Sequence, residues 1–145
     1  MSTSSATKII DGIFHTAVEK EASDVHIVVG MPPVLRINGD LAPIEGAEEL
    51  SPTDAADICY SLCTPDQKEV FDTERELDLG YEIKGLSRFR VNMHWEKNNA
   101  GMVARLISNK IPTMDELQMP PITYDMIRLK QGLILVTGPT GMGKS

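Results

Sequence analysis

The feature that most constrains the fold is an alternation of apolar and polar side chains between residues 76 and 108. Apolar residues occupy every second position in LDLGYEI and again in FRVNMHW, and AGMVARLIS follows the pair Asn98-Asn99. Such alternation places apolar side chains on one face of a strand and polar side chains on the other. Asn98-Asn99 predicts the turn into the third strand. The segment is therefore predicted to form an antiparallel meander of half-buried strands.

Helices and a hairpin are predicted before the meander. Residues 6–20 carry apolar side chains at helical spacing, which is typical of an amphipathic helix. The stretches DVHIVVG and VLRIN are rich in β-branched residues and predict two strands separated by Pro32-Pro33. Asn38-Gly39 predicts a tight turn into a third short strand, LAPI.

Two further helices are expected to begin at Ser51-Pro52 and at Thr64-Pro65. Each pair combines a capping side chain with proline at the first helical position, where its missing N–H has no cost. Gln67 completes a capping box with Thr64, and the second helix is expected to bury Val70 and Phe71. Helices beside an antiparallel sheet predict an α+β domain.

Composition excludes several classes of protein. The formal net charge is −7 and the pI is about 4.9, which argues against a nucleic-acid-binding role because phosphates require a basic face. No apolar run approaches the roughly 20 residues of a membrane span, and the first residues lack the pattern of a secretory signal, so a cytoplasmic protein is expected. Cys59 and Cys63 are four apart in a predicted helix and are interpreted as reduced, without a metal.

The composition of the sequence changes near residue 110. Prolines at 112, 120 and 121 surround two short helical patterns, MDELQM and ITYDMIRL, which we interpret as a connector. The predicted organisation is a domain over 1–110, a connector over 111–131 and the start of a second domain over 132–145.

The last segment, GLILVTGPTGMGKS, is a continuous apolar strand followed by the phosphate-loop pattern G-x-x-x-x-G-K-S. Glycines let the backbone wrap phosphates closely while successive N–H groups point inward, a lysine reaches the β- and γ-phosphates, and a serine hydroxyl ligates Mg²⁺. ATP and Mg²⁺ are the expected ligands. The predicted binding residues are Gly138, Pro139, Thr140, Gly141, Met142, Gly143, Lys144 and Ser145, with Ser145 as the metal ligand.

Two arginines in the meander form a second candidate site. Arg90 and Arg105 belong to consecutive predicted strands, and antiparallel pairing could make them neighbours on one face. Adjacent guanidiniums suit phosphate oxygens. From the charge pattern alone, pairing with local carboxylates such as Glu76 or Asp78 is the favoured interpretation. Asp24 and His26 share a face of an earlier strand and, without a third group, are interpreted as structural.

Six segments in chain order together resemble the ATPases that retract type IV pili, the twitching motility ATPases of the secretion ATPase superfamily. They are SDVHI at 23–27, MPP at 31–33, RINGD at 36–40, RFRVN at 88–92, IPTMDEL at 111–117 and GLILVTGPTGMGKS at 132–145. The resemblance covers the chain from residue 8 onward and is more specific than the phosphate loop alone. Met142 departs from it, because the family usually has a small serine there.

The resemblance implies a PAS-like N-terminal domain followed by a RecA-like ATPase domain, in a ring of six subunits. It implies that Arg90 and Arg105 reach the phosphates of the nucleotide, which reverses the interpretation from charge alone. It also implies ATP-driven pilus retraction, contact with the pilus inner-membrane platform proteins and a place at the inner face of the inner membrane. No catalytic residue is assigned, since the family's acidic motifs follow Ser145, and this chain alone is not expected to hydrolyse ATP.

Other interpretations remain open from the sequence. A pilus assembly or type II secretion ATPase of the same superfamily would share these segments. A PAS-like interaction module without catalysis would also fit the first 110 residues. A small-molecule kinase is disfavoured, because such enzymes usually begin with their phosphate loop.

Overall fold

The computed structural model describes residues 3–107 and 112–138. The chain divides into two compact units, Met1–Asn109 and Lys110–Ser145, and each is considered by itself. The elements of the first unit are α1 (Thr3–Glu19), β1 (Asp24–Ile27), β2 (Val34–Ile37), β3 (Asp40–Pro43), α2 (Pro52–Ser61), α3 (Pro65–Glu74), β4 (Glu76–Ile83), β5 (Ser87–Glu96) and β6 (Asn99–Ile107). The second unit contains α4 (Ile122–Met126).

The strands of the first unit form one antiparallel sheet in the order β3-β2-β1-β6-β5-β4. The predicted hairpin and the predicted meander are both confirmed, and β1 joins them by pairing with β2 and β6. The tight turn of the hairpin has positive φ at Asn38 (51°) and Gly39 (94°), as its sequence predicted.

The turn between β5 and β6 corrects the sequence prediction by one residue. Positive φ occurs at Lys97 (49°) and Asn98 (63°), and Glu96 pairs with Asn99, so the turn is not centred on Asn98-Asn99. Core packing accounts for this register, because it sets the bulky Trp95 opposite the small Ala100 on the buried face.

The helices cover the apolar face of the sheet. Phe14 of α1 stacks on Phe89 of β5 with ring centroids 4.0 Å apart, and α2 buries Ile58 and Cys59. The capping boxes that begin α2 and α3 are present, with Ser51 and Asp54 in the first. Thr64 and Gln67 form the second, as predicted.

The expectation that α3 buries both apolar residues of its sequence is wrong for one of them. Phe71 is fully buried, whereas Val70 is 45% exposed. Successive residues of an α-helix lie about 100° apart around its axis, so a narrow contact face accepts one of the two. The ring of Phe71 occupies this contact face, and its centroid lies 6.0 Å from that of the Trp95 ring.

The second unit matches its sequence pattern only in part. ITYDMIRL contains the short helix α4, but MDELQM forms turns, because Gln118 adopts positive φ (52°) and prolines follow. Leu133–Val136 were predicted as a buried strand, and here they are exposed and outside any strand. A strand requires a partner backbone for its hydrogen bonds, and no described segment supplies one.

Candidate functional site

The open face of the sheet carries a row of charged residues, one from each of four adjacent strands. Arg90 on β5 pairs with Arg105 on β6, Arg105 pairs with Asp24 on β1, and Asp24 pairs with Arg36 on β2. We call these four residues the arginine row. Their places follow from the alternation, since the neighbouring positions 89, 104 and 25 face the core. Three cations are thereby concentrated in an otherwise acidic chain.

Asp24 is the anion of the row, and its carboxylate is buried. The Nε of Arg105 donates to Oδ1 at 2.9 Å, while the hydroxyl of Ser23 donates to Oδ2 at 2.9 Å. The Nε of Arg36 lies 3.5 Å from Oδ2. Burial acts to raise the pKa of Asp24, but the hydrogen bonds from Arg105 and Ser23 and the two positive charges hold that pKa below its ordinary value. Asp24 is therefore a carboxylate near neutral pH.

Arg90 is held more loosely. Its Nη2 lies 3.3 Å from Oδ2 of Asp78 on the edge strand β4, and both side chains are more than half exposed. The amide of Asn92 also donates to Asp78, at 3.4 Å, and to Glu76, at 3.3 Å. An open groove is lined by Arg90, Asp78 and Asn92 together with Asp24, Arg105 and Val103.

Both sequence interpretations of the arginines find a counterpart in the geometry. Arg90 and Arg105 are direct neighbours on one face, and Arg90 also pairs with the local carboxylate of Asp78. Glu76 contacts Asn92 rather than an arginine. The pairing of Asp24 with Arg105 was not predicted, although an aspartate at the start of the apolar strand run DVHIVV is a signal for a cationic partner.

The groove is lined by two guanidiniums and two carboxylates. The guanidinium of Arg105 is bound to Asp24 through Nε, which leaves its four terminal N–H groups out of that bond. Its side chain is 73% exposed. Exposed, partly oriented guanidiniums side by side suit the oxygens of a phosphate group.

The chain aligns along most of its length with known bacterial ATPases. It is 36% identical over 129 residues to the type IV pilus retraction ATPase PilT of Pseudomonas aeruginosa, aligning 89% of this chain with 37% of PilT. It is 35% identical over 128 residues to the type IV pilus ATPase PilU of the same organism, aligning 88% of this chain with 33% of PilU. No family model matches the chain.

A solved structure of the pilus retraction motor PilT with bound ADP matches with a TM-score of 0.80 at 32% identity, over 91% of this chain and 38% of that one. The chain is thus similar to the type IV pilus retraction ATPases over nearly its whole length. Its resemblance to that family, inferred above from six segments, is confirmed, as is a domain of helices and antiparallel sheet. The chain spans about a third of the length of these relatives.

Three segments that carry the family resemblance converge on the arginine row. The segment SDVHI includes all of β1 and contains Asp24. The segment RINGD begins at the end of β2 and contains Arg36, and RFRVN lies within β5 and contains Arg90. Segments far apart in this retraction ATPase homologue thus supply adjacent positions of one surface.

The other predicted site, the phosphate loop, begins at the end of the described residues. Gly138 is described, and it follows the exposed segment Leu133–Val136. The remaining predicted phosphate-loop residues lie outside the described residues. They are Pro139, Thr140, Gly141, Met142, Gly143, Lys144 and Ser145.

The surroundings of His26 and of the two cysteines are those of residues that pack in the fold. Burial and then the charge of Arg36 lower the pKa of His26, and its Nε2 has no hydrogen-bond partner in the described part of the chain. Both cysteines are free thiols, as predicted, and burial raises the pKa of Cys59 to about 12, which makes it unreactive. The described residues contain no cluster of three His, Cys, Asp or Glu side chains that could hold a metal.

Of the helices in residues 3–107 and 112–138, none combines the length and apolar composition of a membrane span.

Proposed function

We propose that the complete protein containing this chain is an ATP-hydrolysing motor that powers type IV pilus retraction and twitching motility. The observation that carries this proposal is the match to PilT along nearly the whole chain, in sequence and in fold. The motor is a ring of six subunits on the cytoplasmic face of the inner membrane, and it acts on the pilus inner-membrane platform proteins. The chain by itself does not hydrolyse ATP.

Within that motor, the chain contributes a PAS-like domain over 1–110, a connector over 111–131 and the first strand and phosphate loop of a RecA-like domain over 132–145. The exposed apolar run Leu133–Val136 supports this division, because such a run is suited to the interior of a parallel sheet. Lys144 contacts the β- and γ-phosphates. Ser145 would ligate Mg²⁺, which neutralises charge on the phosphates during transfer.

Arg90 and Arg105 contact the phosphates of the nucleotide in the assembled motor. Their adjacency and exposure support this role, since the two side chains are 68% and 73% exposed although each also pairs with a carboxylate. Contacts made in one nucleotide state and lost in another shift a conformational equilibrium, so these arginines couple hydrolysis to domain movement.

The decisive experiment is steady-state ATPase assay of the complete protein with the single substitutions Lys144→Ala and Arg105→Ala. Lys144→Ala is expected to abolish turnover, because the loop loses its charge toward the transferred phosphate. Arg105→Ala is expected to lower turnover at least tenfold with the fold retained. Full activity of the Lys144 variant contradicts the motor, whereas full activity of the Arg105 variant contradicts only the arginine contact.

A further inference from the structure

The two arginines of the proposed phosphate contact differ in how they are held. Arg105 donates to a carboxylate whose side chain is 7% exposed, at 2.9 Å. Arg90 contacts a carboxylate that is 53% exposed, at 3.3 Å. An exposed ion pair is screened by water and forms and breaks easily, whereas a buried acceptor fixes its donor. Arg105 is thus the more firmly oriented member of the pair, and Arg90 is the less firmly held.

The acceptor is itself fixed on a central strand. β1 is hydrogen-bonded on both sides, to β2 and to β6. The hydroxyl of Ser23 and the guanidinium of Arg36 both occupy Oδ2 of Asp24, which leaves Oδ1 for Arg105. The carboxylate plane is therefore set by groups other than the arginine it orients.

We propose that Asp24 is the positioning residue of the phosphate site, holding the Nε of Arg105 so that the terminal nitrogens of the guanidinium stay presented to the nucleotide. This inference rests on the proposed function, because it concerns how that site is organised. Orienting a long side chain before the ligand arrives removes an ordering cost from binding and from the transition state. Asp24 itself does not touch the nucleotide.

The competing explanation is that Asp24 only neutralises the surrounding arginines and so stabilises the fold. The two roles differ in one respect: a positioning role operates through Arg105, whereas a stabilising role remains when Arg105 is removed. Asp24→Asn is the appropriate variant, because it keeps the volume of the side chain and removes its charge.

A first test needs no nucleotide. In the 145-residue chain labelled with ¹⁵N-arginine, the Nε–Hε group of Arg105 is expected to give a resonance protected from solvent exchange, because it donates to a buried acceptor. Asp24→Asn should abolish or strongly reduce this protection, and the matched variant Asp78→Asn, which removes the partner of Arg90, should leave it in place. An unprotected Arg105 resonance in the unsubstituted chain overturns the proposal.

A second test is a double-mutant cycle on the turnover of the complete protein. Asp24→Asn is expected to lower kcat about tenfold when Arg105 is present and less than about twofold in the Arg105→Ala background. If Asp24→Asn lowers kcat by the same factor with and without Arg105, and also lowers the melting temperature as a destabilised fold would, positioning is contradicted. If Arg105→Ala alone has no effect, the proposed phosphate contact fails, and the exchange measurement still decides whether Asp24 orients Arg105.

Discussion

Arg90 lies directly opposite Arg105 across the β5–β6 ladder, so two positively charged side chains share one pair of strands. Like charges in directly opposed positions destabilise a sheet by a few tenths of a kcal/mol up to about 1 kcal/mol. Asp78 beside Arg90 and Asp24 beside Arg105 offset part of this repulsion. The phosphate contact proposed above would supply a further negative charge that both side chains share.

A first prediction follows for Arg90→Gln. Removing one of two opposed charges should leave the free energy of unfolding of the chain unchanged or raise it by about 0.5 kcal/mol, since the exposed contact with Asp78 contributes little. The same substitution should lower turnover of the complete protein. Urea unfolding provides the stability value, and Arg88→Gln is the control, because Arg88 faces Ile107 rather than a cation. If Arg90→Gln lowered the free energy of unfolding by more than about 1 kcal/mol, the contacts of Arg90 would stabilise the fold and this prediction would be wrong.

The second prediction concerns acid. A carboxyl group whose pKa is lower in the folded state stabilises the fold above its unfolded pKa of about 3.9, and this contribution disappears as the pH falls through the folded pKa. The chain should therefore lose stability below about pH 4, and Asp24→Asn should flatten this part of the curve while lowering stability at pH 7. Urea midpoints between pH 2.5 and 7 measure both effects. Asp78→Asn is the comparison, and identical curves for the two variants would contradict the special role of Asp24.

The third prediction concerns alkali. The hydroxyl of Tyr81 on β4 donates to Oδ1 of Asp11 on α1 at 2.8 Å, and burial, then this bond, raise the pKa of Tyr81 to about 12. A raised pKa means that the neutral phenol is favoured in the folded state. The contribution of this phenol to folding stability is complete below the pKa of about 10 that it has in the unfolded chain. That contribution is lost as the pH rises toward 12.

Tyr81→Phe should accordingly cost about 1 kcal/mol at pH 7 and reduce the loss of stability between about pH 10 and 12. Denaturant unfolding followed by far-UV circular dichroism at several pH values measures this. Tyr124→Phe is the comparison, because the hydroxyl of Tyr124 also donates to a carboxylate, that of Asp115, and this bond raises its pKa, but it does so at the surface. Its removal should therefore cost less stability than removal of the half-buried Tyr81 hydroxyl. Equal alkaline losses in the chain with and without the Tyr81 hydroxyl would refute the assignment.

Local signals in the sequence predicted most of the secondary structure. The Asn38-Gly39 turn and the caps at Ser51 and Thr64 depend on residues within a few positions of each other, and all three were correct. The register of the β5–β6 turn was wrong by one residue, because it is decided by side-chain packing on the buried face rather than by the turn residues.

The candidate site was predictable only in outline. Strand alternation placed Arg90 and Arg105 on a common face, but Asp24 is 81 residues from Arg105 in the sequence. That pairing exists because β1 lies between the hairpin and the meander, an arrangement that no local pattern encodes. The exposed run Leu133–Val136 shows the same limit, since whether an apolar segment becomes a strand depends on the neighbours available to it.

The last prediction tests the contact that fixes α1 to the sheet. Phe14 is fully buried and stacks on Phe89, with ring planes 13° apart. Phe14→Ala removes a large buried ring and leaves a cavity, so it should cost about 3–5 kcal/mol in the free energy of unfolding, which would partly unfold a domain of ordinary stability. Ile9→Ala is the matched control: Ile9 lies on the same helix but is 36% exposed, and its loss should cost less than about 1 kcal/mol.

Thermal and urea unfolding of the two variants measure the difference directly. The arginine row lies on the opposite face of the same sheet from Phe14. In the Phe14 variant, the exchange-protected Arg105 resonance should therefore persist while the sheet is folded and disappear only when the sheet unfolds. A Phe14 variant that keeps full stability would mean that α1 contributes little to holding the sheet. Loss of the resonance below the unfolding transition would mean that the orientation of Arg105 depends on α1 rather than on Asp24.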